Sequence, residues 1–247
     1  MYINNLNIFW YVGVTLIGIA VGYFINILNR NFSEKAEAEQ EVEKKNKKRE
    51  KDNGINLLLL LVIAGLYGVT LYKFGISIET LKYLILTPLL ISALIIDFKF
   101  QIIPNRLNLS LFQIGIAYVF LSSFIDLNIA IDGILGMVTG GGIFLLITLI
   151  GGIIAGKEAM GFGDVKLMGA LGLFFGLRNI IIITVLSFLL GAIIGIIILI
   201  IKAKKKTEYM PFGPFIVIAS IITIFVPQTI LLNILVTIFS LGLNKNM

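Results

Sequence analysis

An all-α bundle of transmembrane helices, polytopic, with about eight spans and the N-terminus outside, is the fold this sequence predicts. Three observations predict it. Of 247 residues 58% are hydrophobic and only 14% charged, with a mean hydropathy of +1.00, whereas soluble domains run nearer half apolar and a quarter charged. Apolar runs of spanning length recur from residue 9 to residue 243. Between them the basic residues gather in alternate loops. This much apolar surface cannot be hidden inside a chain of this length and still leave a polar coat, so lipid is the solvent.

A spanning helix needs roughly 20 apolar residues, because no backbone polar group can go unpaired in hydrocarbon. The first span is Phe9 to Leu28, too long and too weakly charged in front for a cleaved signal peptide. Ile55 to Tyr72 is the second, Leu81 to Ile96 the third, Leu107 to Ile125 the fourth and Ile134 to Ala155 the fifth. Val165 to Leu177 makes a short sixth and Ile180 to Ile201 a seventh. From Phe212 the chain is apolar to Leu243 but interrupted at Pro227, giving one span with a tail or two shorter pieces. The chain thus divides into a first helix over 1–30, a charged loop over 31–54 and a bundle over 55–247.

Basic residues stay on the cytoplasmic side. Loops 30–54, 97–106, 156–166 and 202–210 hold eight, two, two and four of them, sixteen of the 20 Lys and Arg, and alternation puts all four loops on one face. The net charge of +6 therefore reports a multi-pass topology in the plasma membrane. Nucleic-acid binding needs a basic folded domain, and none is present. The one polar stretch, Asn31 to Asn53, alternates glutamates with lysines and reads as a solvated helix or a linker. Twelve of the 25 glycines lie between Gly133 and Gly172, where they let spans approach closely.

The chain has no Cys and no His. That removes thiol nucleophiles, imidazole bases and His- or Cys-ligated metals. Carboxylates, lysines and hydroxyls remain. Glu79, Asp126, Asp132 and Glu208 fall in the loops and read as hydrated charges. Asp97 ends the third span, followed by Ile103-Pro104-Asn105, where the proline disfavours helix and forces an extended or turned connection. It is either a functional carboxylate or a span-ending one satisfied by Lys99 or Arg106. Asp164 stands in Gly161-Phe162-Gly163-Asp164-Val165-Lys166 at the start of the sixth span, on the same face, near the positive end of a helix dipole. Alone it is an ordinary capping residue. Two aspartates that share a proton supply a base and an acid, the minimum for an aspartic protease.

At these residues the chain resembles the type IV prepilin peptidases, GxGD aspartic proteases of the inner membrane. Asp97 with Ile103-Pro104-Asn105 resembles the family's first catalytic aspartate and the step after it. Gly161, Gly163, Asp164 and Lys166 match its GxGDxK motif, and Pro211, Gly213 and Pro214 its C-terminal PFGP segment. Gly22, Asn26 and Arg30 partly match its N-terminal signature, with the arginine one residue early. The resemblance implies that Asp97 and Asp164 are catalytic and that the substrate is the short basic leader of prepilins or pseudopilins, removed at the cytoplasmic face without a cofactor or metal. Pro104, Asn105, Gly161, Gly163 and Lys166 would line the site. Bacterial members often carry a four-cysteine zinc loop and N-methylate the product. This chain has no cysteine, which excludes that zinc site, so S-adenosylmethionine enters only if methyltransferase activity persists. The competing reading is an ion-coupled transporter or channel using the same aspartates.

Overall fold

The computed structural model describes residues 2–3, 6–40, 57–155, 160–201 and 211–240, and all but two short strands of its elements are helices. The predicted all-α, multi-pass bundle is what the chain forms. Among the described residues, five helices are long and apolar enough to cross a membrane. The lysine-rich loop from residue 41 onward, Lys157, and the 202–210 loop with Glu208 lie outside the described residues. The chain divides into two compact units, Met1–Leu107 and Asn108–Met247.

In the first unit, β1 (Tyr2–Ile3) and β2 (Leu6–Asn7) pair antiparallel ahead of α1 (Ile8–Gln40), α2 (Leu57–Phe74) and α3 (Ile78–Phe100). The first ten residues of the charged stretch, expected as helix or linker, continue α1. Gly18 and Gly22 lie one helical turn apart on the same face of α1 and press against α2. A Cβ on Gly18 would come within 3.0 Å of the Ala64 Cα, and one on Gly22 within 2.9 Å of Leu60, the small-residue contact that lets apolar helices associate. The Tyr67 hydroxyl donates to the Leu84 carbonyl at 2.7 Å, tying α2 to α3. Ser77 caps α3 through the Thr80 N–H at 3.2 Å. Within that first turn Glu79 pairs with Lys82 instead of standing as a loop charge. Helix α3 is the most enclosed of the three: 61% of its most apolar window is buried, against 17% for α1.

The second unit holds nearly all of α4 (Asn105–Ser123), then α5 (Leu127–Ala155), α6 (Phe162–Ile200), α7 (Gly213–Phe225) and α8 (Gln228–Phe239). Helix α5 begins about two turns earlier than its apolar run suggests. Asp126 explains this: its carboxylate accepts from the Asn128 N–H at 2.9 Å and starts the helix. Asp132, expected in a loop, therefore lies inside α5. The sixth and seventh runs form one helix with a break at Gly176, whose φ of 74° suits glycine. There the Asp132 carboxylate accepts from the Leu177 N–H at 3.1 Å and caps the second half of α6. Of the two readings left open beyond Phe212, two shorter helices is the one adopted. Val226 is extended before Pro227, which starts α8 without an N–H of its own.

Glycines set the closeness of α5 and α6. A Cβ on Gly140 would lie 2.8 Å from the Met168 carbonyl oxygen, and one on Gly141 3.4 Å from the Gly169 Cα. Buried Phe144 of α5 meets Phe188 of α6, and buried Ile180 of α6 packs over Gly140 of α5.

Candidate active site

Asp97 sits in the last turn of α3, one turn before the helix ends at Phe100, and is only 3% exposed. Its backbone carbonyl accepts from the Gln101 N–H at 2.8 Å. Gln101 adopts φ 58°, the one left-handed residue other than glycine among the described residues, and so turns the chain sharply after the aspartate. Three residues outside any helix or strand follow, with Ile103 buried and Pro104 half-buried, before α4 starts at Asn105. The Leu107 N–H donates to the Pro104 carbonyl at 3.0 Å, so the proline opens the first turn of α4. Asn105 and Arg106 are exposed at that helix start.

In the second unit, Gly161 and Gly163 flank Phe162 at the entry to α6. The Asp164 N–H folds back onto the Gly161 carbonyl at 3.0 Å, which makes the turn that launches the helix. Asp164 stands in the first turn and is 4% exposed. The helix dipole there favours a carboxylate. Lys166 is exposed, with its ammonium 5.3 Å over the ring of exposed Phe162. Asn108, on the first turn of α4, reaches this turn from 55 residues away, donating from Nδ2 to the Gly163 carbonyl at 3.0 Å. Sequence reading missed Asn108. Its signal was an amide in an apolar helix, three residues after Asn105.

Among the carboxylates whose side chains are described, Asp97 and Asp164 are the two that are buried. An ionisable group at such a position is costly and commonly marks function. Asp126 and Asp132 are exposed and cap helix starts.

The remaining motif residues lie away from these two turns in the sequence. Phe212, beside Pro211, packs its ring against Phe144, Phe188 and Phe215 at centroid distances of 5.8, 5.0 and 5.8 Å. Gly213 and Pro214 are buried at the start of α7. A Cβ on Gly191 would lie 3.2 Å from the Phe212 ring, so α6 also shapes this pocket for the aromatic side chain. In the first unit Gly22 is buried against α2, Asn26 is half-buried, and Arg30 falls in α1 with its side chain outside those described.

Residues 84–196, which contain both aspartates, match the model of the type IV leader peptidase family. A prepilin leader peptidase/N-methyltransferase of Legionella pneumophila is 35% identical over 154 residues, 62% of this chain and 53% of that protein. The protein of the same description from Pseudomonas aeruginosa is 33% identical over 160 residues, 64% of this chain and 54% of its own length. That of Aeromonas hydrophila is 33% identical over 140 residues, 57% and 47% respectively. The chain spans about half the length of the curated relatives it matches. No solved structure matches it.

Proposed function

We propose that this chain, whose residues 84–196 match the model of the type IV leader peptidase family, is an aspartic endopeptidase that removes the leader of prepilins or pseudopilins at the cytoplasmic face of the inner membrane. The observation that carries the reading is the burial of Asp97 and Asp164 within the matched segment, each at a helix end.

The scheme we propose is that of two carboxylates sharing one proton. Two carboxylates close together cannot both ionise easily, so one is a base and the other an acid, and the apparent pKa values belong to the pair. The ionised carboxylate takes a proton from water as the water oxygen bonds to the scissile carbonyl carbon. The protonated one donates to the carbonyl oxygen, where negative charge develops. Collapse of the tetrahedral intermediate breaks the C–N bond: the amine departs with the proton first taken from water, while the other carboxylate takes back the proton it gave and the C=O re-forms. This scheme asks nothing of imidazole, thiol or metal, which suits a chain with no His and no Cys.

Orientation rests on the basic loops. Lys99 and Arg106 flank Asp97 and its turn, and Lys166 follows Asp164, so the positive-inside rule assigns both helix ends to the cytoplasm. A basic leader held on that side by its charges would present its cleavage point there. The proposal is confined to peptide cleavage: the chain has no cysteine, and S-adenosylmethionine takes no part in the scheme.

Co-expression with a pilin-like precursor tests this. Wild type converts the precursor to a product lacking the leader, while Asp97→Asn and Asp164→Asn each abolish conversion yet still insert. Cleavage retained by either variant overturns the pairing, and aspartate-dependent ion flux with an uncut precursor would instead identify a transporter.

A further inference from the structure

We infer that Asn108 is the positioning residue that sets the direction of Asp164, an inference that rests on the peptidase reading above. The peptide joining Gly163 to Asp164 is held at both of its polar groups. Its N–H, belonging to Asp164, donates to the Gly161 carbonyl at 3.0 Å. Its carbonyl, belonging to Gly163, accepts from Asn108 Nδ2 at 3.0 Å. Peptides are planar and rigid, so gripping both groups fixes the plane from which the Asp164 side chain departs.

The grip answers a specific weakness. Glycine at 161 and 163 leaves the backbone on both sides of Phe162 with access to conformations closed to other residues. A carbonyl in the first turn of a helix also keeps a second lone pair beyond the one its helical partner uses. Asn108 occupies that lone pair from another helix, so the turn cannot reorient without breaking a partly buried hydrogen bond. The amide orientation follows from chemistry, since only its NH₂ can face a carbonyl.

Stability alone does not account for asparagine here. The side chain is 3% exposed and its Oδ1 meets no hydrogen-bond partner, a burial that opposes folding. Leucine, of similar shape, would remove that cost. What leucine cannot do is donate to Gly163.

The inference separates speed from stability, and Asn108→Leu and Asn108→Asp test it in detergent with a synthetic peptide made of a basic leader, a glycine and an apolar helix. Asn108→Leu is expected to melt no lower than wild type, to lower kcat by about tenfold or more and to leave KM within roughly twofold, because geometry at the reacting groups is lost and binding is not. Asn108→Asp donates to Gly163 only while protonated. Its kcat relative to wild type is therefore expected to fall about tenfold as pH rises and the introduced carboxyl ionises. A kcat within about twofold of wild type for Asn108→Leu, a change confined to KM, or an Asn108→Asp pH profile parallel to wild type overturns the inference. So does failure of both variants to insert, which assigns Asn108 to folding. Wild type and Asp164→Asn are run alongside: if wild type leaves the peptide uncut, or Asp164→Asn cuts it, the peptidase reading itself has failed and the positioning role falls with it.

Discussion

Replacing Gly136 with alanine should force α5 and α6 apart, whereas the same change six residues on should not. A Cβ on Gly136 would lie 2.7 Å from the carbonyl carbon and 2.9 Å from the Cα of Gly176, and it would also run into the Gly172 carbonyl oxygen. All three are backbone atoms and none can swing aside. Relaxing these contacts to ordinary carbon–carbon distances of about 3.6 Å requires the helices to separate by roughly 1 Å along that seam. Overpacking of this kind costs about 1–3 kcal/mol, offset by up to about 1 kcal/mol from the better helix propensity of alanine. Gly142 is the internal control: on the same helix, a Cβ there meets nothing within 4 Å, so only the propensity gain applies. Thermal unfolding of the purified proteins in one detergent should place Gly136→Ala roughly 3–8 °C below wild type, with Gly142→Ala level or slightly above it. Equal melting temperatures for the two variants would refute the claim that backbone contact, and not apolar content alone, sets this seam. Because Asp164 opens the helix being displaced, Gly136→Ala should also slow cleavage.

Asp132→Ala removes the acceptor of the Leu177 N–H and should lower stability by about 1 kcal/mol, with faster amide exchange at 177–179. Asp132→Asn keeps an oxygen there and should lose much less, and equal exchange in both variants would sink the capping role. Phe212→Ala removes a half-buried ring from the cluster of Phe144, Phe188 and Phe215 and should cost less than the roughly 3–5 kcal/mol of a fully buried phenylalanine, read as increased protease sensitivity of α7. Unchanged sensitivity would mean that the Pro211–Pro214 segment is held by something other than its aromatic side chain.

How much of this was legible beforehand depends on the range of each interaction. The Pro227 interruption, the turn after Asp97 and the start of α6 at the glycines were all readable, because each is imposed by residues adjacent in sequence: a missing N–H, a restricted neighbour, an absent side chain. Asp132 was misread as a loop charge because its partner, Leu177, lies 45 residues away, and a hydropathy window cannot distinguish an acid before a helix from one inside its second turn. The break at Gly176 was anticipated only as a gap between two runs. Asn108 went unnoticed for the same reason as Asp132: a polar residue in an apolar helix has no visible purpose until the carbonyl it meets is in place.

Composition and periodicity by themselves determined that the chain is an all-α membrane bundle and that, with no His and no Cys, neither imidazole nor thiol chemistry is open to it. Local motifs singled out Asp97 and Asp164 from fourteen Asp and Glu. Those conclusions need only solvent transfer free energies and the properties of single residues. Only the tertiary structure decided that these two are buried, that Asp126 and Asp132 cap helices, and that Asn108 grips the peptide before Asp164. Burial and a hydrogen bond between distant helices depend on which faces meet. Small residues set that meeting here, Gly136, Gly140 and Gly141 bringing α5 against α6, and a glycine in a sequence states that a close approach is possible without stating to what.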